Sequence, residues 1–156
     1  MIEEERDSDL YGEAEIFSSR FQSLHQQASR LGSRVSTLEN VVHLQSGLFR
    51  QAARYSRTLQ RHVYDAAYAV PGEIIIFFVE HGIPVPLADE NGNIAMAGIG
   101  EMLSALDAYI EALRGDIEAN TVCLEKARRE YNSTMTLLFE CSHLSDRRRR
   151  VVIYRR

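Results

Sequence analysis

The sequence predicts an all-α protein, a long antiparallel helical hairpin or coiled coil with a short irregular or β-hairpin cap between its helices. Three observations carry this. Apolar residues recur at alternating spacings of three and four over residues 17–70, and again over 103–141; that rhythm marks helices that pack along their length against other helices. All three prolines (Pro71, Pro84, Pro86) fall between the two runs. Tryptophan is absent and the apolar share is 45%, ordinary for a globular chain. The whole of 1–156 is therefore expected to be a single elongated helical domain.

Residues 1–9 form an acidic lead with Glu3, Glu4, Glu5, Asp7 and Asp9. The first helix is expected over about 8–70, with Ser8 or Asp9 as its cap and Glu13 and Glu15 suited to its positive end. Its seam runs from Phe17 and Phe21 through Leu38, Gln45 and Phe49 to Leu59, Val63 and Val70. Gly32 and Gly47 each cost about 1 kcal/mol against alanine inside a helix, and Ser36-x-x-Glu39 has the form of a capping box that would restart a broken one. The seam keeps its phase across both glycines, which favours one continuous helix. Pro71-Gly72 ends or sharply kinks it.

The cap, about 71–96, is the non-repetitive part. Ile74–Val79 reads as a buried strand or as a short apolar helix opened by Pro71, and its β-branched content leans to strand. Pro84 and Pro86 argue against a central strand just after it. Asn91-Gly92, between Leu87-Ala88 and Ile94-Ala95, predicts a tight hairpin turn. The second helix is expected over about 97–145, with a seam from Leu103 and Leu106 through Asn120, Leu124 and Tyr131 to Leu138 and Cys141; Gly115 raises the same question as Gly32 and takes the same answer. A basic tail, about 146–156, follows.

The two seams say more about assembly than about chemistry. Each is interrupted by one amide, Gln45 and Asn120, which an antiparallel hairpin brings within about one layer of each other; a buried amide pair sets register at some cost in stability. Flanking charges allow two registers, one joining Arg34 to Glu130 and one joining Glu39 to Arg128. The position just before each first seam residue holds Val41, Leu48 and Tyr55 in the first helix, and Tyr109, Cys123, Leu137 and Leu144 in the second. A lone pair of helices keeps that flank polar, whereas apolar residues there widen the stripe to the width of a larger bundle. Val41, Leu48, Tyr55, Tyr109, Leu137 and Leu144 are accordingly the candidate partner-binding residues. The partner is expected to be a second copy or a different coiled-coil subunit, giving a homodimer or a hetero-oligomeric complex.

The tail carries Arg147, Arg148, Arg149, Arg150, Arg155 and Arg156 around Val151–Tyr154. Its default reading is a solvated segment, or one neutralised by the acidic lead. Binding of nucleic acid or an acidic surface is the alternative, and the alternation in 151–154 also permits a short strand added to a partner. The net charge of −4 exerts no global pull toward polyanions.

No catalytic, cofactor or metal constellation stands out. His25, His43, His62, His81 and His143 form no His-x-x-x-His pair, no Cys-x-x-Cys occurs, and phosphate-binding glycine loops are missing. Asp89–Asn93 lacks the spacing of a calcium loop and reads as a polar turn. Cys123 and Cys141 are five turns apart on one helix, roughly 27 Å, too far to bridge. Without a leader or membrane span, the chain is expected to be intracellular, cytoplasmic or nuclear. The expected function is that of a non-enzymatic coiled-coil scaffold or adaptor subunit in an oligomeric complex. In layout alone, two long helices joined by a short β segment, it resembles prefoldin subunits, without their motifs and with longer helices; that resemblance implies a chaperone-like hairpin that binds clients at its tips.

Overall fold

A computed structural model of the chain describes the backbone of residues 2–153 and the side chains of residues 12–143. The described residues are mostly helical, in the order α1 (Ile2–His62), β1 (Ala67–Tyr68), α2 (Gly72–Glu80), β2 (Ile94–Ala95) and α3 (Met96–Ile153). α1 passes unbroken through Gly32 and Gly47, and α3 through Gly115. In each helix the apolar seam, which keeps its phase throughout, outweighs the helical penalty of the glycines.

α1 begins before residue 8 and stops at His62, eight residues short of the expected end at 70. Residues 63–70 turn a corner instead. The Asp65 N–H bonds to the His62 carbonyl at 3.1 Å, and the His62 ring lies flat on Tyr68, with centroids 3.9 Å apart. Val63 and Val70 still pack on the core. The apolar rhythm therefore continues past the helix, because the corner uses the same residues against the same core.

The stretch that leans to strand by composition is helix α2. Pro71 stands at its N-cap in an extended conformation, and its carbonyl accepts from the Ile74 N–H at 3.0 Å. The helix closes on Gly82, at φ 66°. There the Ile83 N–H bonds the Phe78 carbonyl (2.8 Å) and the Gly82 N–H bonds the Val79 carbonyl (3.3 Å), a Schellman closure that needs a left-handed residue. Ile74, Phe77 and Phe78 are buried on one face, and this packing overrides the weak β preference of three consecutive isoleucines.

Asn91-Gly92 does turn the chain, but no hairpin forms with Leu87-Ala88. β2 pairs antiparallel with β1, Ala67 opposite Ala95 and Tyr68 opposite Ile94. Asp89 organises the turn. Its Oδ1 accepts from the Asn91 and Asn93 N–H groups at 2.9 and 2.8 Å, and Gly92 sits at φ 79°. Gly98, in the first turn of α3, allows close packing: a Cβ there would lie 2.6 Å from Ile94 Cγ2 and 3.2 Å from Pro86 Cβ. The backbone of 146–153 belongs to α3, so residues 151–153 are helical and not a strand. Residues 154–156 lie outside the described part.

Two compact units divide the chain. The first combines residues 1–39 and 122–156. Ala28 of α1 and Leu124, Ala127, Thr134 and Cys141 of α3 are buried in it. The Tyr131 ring closes over Gly32, 3.3 Å from where a Cβ would stand, and Arg128 bonds Glu39 at 2.9 Å. The second unit, residues 40–121, holds the main core. Ala52, Tyr55 and Leu59 from α1 meet Ile74, Phe77 and Phe78 from α2, Ile94, and Ile99, Met102, Leu106 and Ile110 from α3. Within this unit Gln45 meets Asn120 and Ser56 meets Asp107, so the numbering runs in opposite directions along the two long helical segments.

Candidate functional site

The amides that interrupt the two seams find each other. Asn120 Nδ2 donates to Gln45 Oε1 at 2.9 Å, and both residues are half-buried. Two polar side chains withdrawn from water thus satisfy each other rather than remaining unpaired, which is the condition under which a buried amide is tolerated. Of the two registers allowed by the flanking charges, the Glu39–Arg128 pair forms, and no ion pair joins Arg34 to Glu130.

The wide apolar flank has a different fate at each position. Tyr55 is only 4% exposed. Its ring meets Phe77 of α2 edge-on at 5.3 Å, and Gln51 Nε2 donates to its hydroxyl at 3.1 Å. Tyr109 is half-buried and meets the same Phe77 edge-on at 5.9 Å. Its hydroxyl lies 3.5 Å from His81 Nδ1, and burial raises its pKa above the usual phenolic value. Leu48 packs against the same core. At these three positions the extra width of the stripe is filled from within the chain, at Tyr55 and Tyr109 by Phe77 of α2. Val41 is half-buried and Cys123 exposed. Leu137 stays 43% exposed. The side chains of Leu144, Arg147, Arg148, Arg149, Arg150, Arg155 and Arg156 lie outside the described residues.

The residues that fill the stripe, Phe77 and Phe78 above all, were not singled out by sequence reasoning. The signal was present in the helix-opening Pro71 and the helix-closing Gly82 on either side of six apolar residues. α2 is apolar on every side. Its inner face is buried, while Ile76 and Val79 on its outer face are 57% and 67% exposed, flanked by exposed Glu73 and Glu80. A helix hydrophobic all round belongs inside protein on all sides. In the other unit Phe139 is also exposed, its ring stacked on His143.

Chemistry-bearing groups are scattered. The Ser56 hydroxyl donates to Asp107 Oδ1 at 2.9 Å, and the Arg114 guanidinium lies over the Phe49 ring; both line an open groove with Ala53 and Arg57. His62 Nδ1 lies 2.7 Å from an Asp65 carboxylate oxygen, exposed at the corner after α1. Among the described residues no group of three or more histidines, cysteines or carboxylates is placed to hold a metal ion, and no helix is long and apolar enough to cross a membrane. These features define a mostly helical protein with exposed apolar side chains on the outer face of α2. No protein-family model matches the chain, and no curated protein or solved structure matches it.

Proposed function

We propose that this protein is a non-enzymatic scaffold or adaptor subunit, an antiparallel coiled-coil hairpin that assembles with other helical chains in an oligomeric complex. The observation that carries the reading is α2, six consecutive apolar residues of which the chain buries only the inner face. Leaving Ile76 and Val79 in water forgoes part of the roughly 1.5–3 kcal/mol that full burial of each such side chain contributes, and a covering helix recovers it. The heptad seams, the Gln45–Asn120 bond as register-setting pair, and the Glu39–Arg128 pair support the hairpin. In the other unit, exposed Leu137 and Phe139 are apolar side chains that a partner could cover separately.

Purification of the chain from its native source, followed by mass measurement of the intact complex, tests the reading. A stoichiometric assembly with helical chains, or with further copies of this one, is the expected result. A sharply melting monomer that brings no other chain with it overturns the proposal.

A further inference from the structure

The outward face of α2 has a definite chemistry. Glu73 and Glu80 stand seven residues apart, about 10 Å along the helix, with Ile76 and Val79 exposed between them. α2 itself carries no basic residue, and neither glutamate forms an ion pair among the described residues. Two α2 helices placed face to face would set carboxylate beside carboxylate, which like-charge repulsion disfavours. The occupant that fits is therefore an apolar segment bracketed by cations. This chain contains one: Arg147–Arg150, then Val151, Val152, Ile153 and Tyr154, then Arg155 and Arg156. Its order of charge, grease and charge mirrors that of α2 with the sign reversed.

We propose that the outward face of α2 docks the arginine-bracketed segment 147–156 of a second copy of this chain. The contact joins two different surfaces, so it is heterologous, and each copy offers one donor segment and one acceptor face. Steering between the two is electrostatic and weakens as salt screens it. The inference rests on the reading of the chain as an assembly subunit and names its partner.

The test uses the full-length protein and two variants. Ile76→Gln with Val79→Gln removes the acceptor face with a good helix former at positions the chain does not bury. Replacement of Arg147, Arg148, Arg149 and Arg150 by glutamine removes most of the donor charge. Sedimentation velocity of the wild type should show mass rising with protein concentration and falling with added salt. Each variant alone should associate at least about tenfold more weakly, the effect of losing one good contact cluster. Mixed together, the two should form a complex of two chains and stop, because one intact donor and one intact acceptor remain. Circular dichroism melts matching the wild type exclude misfolding as the cause. Association independent of concentration, or a mixture that stays monomeric, overturns the inference. Association that survives in both variants overturns it too, yet leaves the subunit reading standing. A wild type monomeric both when purified and in native extract removes both.

Discussion

Phe77, only 3% exposed, meets Tyr55 and Tyr109 edge-on and sits 4.4 Å from the His81 ring. Truncation to alanine is expected to remove about 3–5 kcal/mol of stability, read as a lower denaturant midpoint, because edge-on aromatic contacts are lost and a void opens under α2. Gly98→Ala tests close packing at the start of α3. The new methyl would collide with Ile94, and a loss of about 1–3 kcal/mol is expected. Tyr109 makes a pH prediction. Burial raises its pKa from the ordinary 10.0, so the folded protein disfavours the phenolate. The contribution is fully present below pH 10 and is lost as pH rises beyond it through the folded value. Denaturation curves at pH 8 and about 11 should therefore show a steeper loss for the wild type than for Tyr109→Phe, which lacks the titrating hydroxyl.

α2 is a nine-residue helix that would not persist alone in water. It depends on Pro71 at one end, on the Gly82 closure at the other, and on three buried side chains between. Gly82→Val forces a β-branched residue into the left-handed region and is expected to cost about 1–2 kcal/mol or more, visible as loss of amide protection across 74–80 before any change in α1. Gln45 and Asn120 pose the opposite case between the long helical segments. Their joint replacement by leucine should raise the melting temperature, since apolar packing replaces a desolvated amide pair. It should also loosen register, read as a broadened distance distribution between spin labels at exposed positions on α1 and α3 within residues 40–121.

The unit formed by residues 40–121 has a core built from three helices and a strand, whereas the described core of the other unit is a single layer between two helical segments. Local opening follows buried apolar contact. The slowest-exchanging amides are therefore expected over 52–59 and 99–110, and the amides of residues 20–35 should exchange faster. Uniform protection across α1 would refute this. Assembly acts at the same scale, because a partner laid on α2 would be expected to slow exchange over 74–80.

The predominance of helix and the continuity of α1 and α3 through their glycines follow from a rhythm of three and four, which is local information repeated along the chain. That rhythm brought Gln45 near Asn120 but left Arg34–Glu130 and Glu39–Arg128 both open, and only the folded chain chose the second. The wide stripe at Leu48, Tyr55 and Tyr109 was equally legible. What covers it was not, for a seam records only that an apolar neighbour exists and never which segment supplies it. Tertiary packing decided that Ile74–Val79 coils into a helix over Tyr55, that α1 gives way to a corner at His62, and that β2 pairs with 67–68 instead of 87–88. Strand propensity in six residues is worth less than burying Ile74, Phe77 and Phe78 together, and only the folded chain brings those three onto one surface.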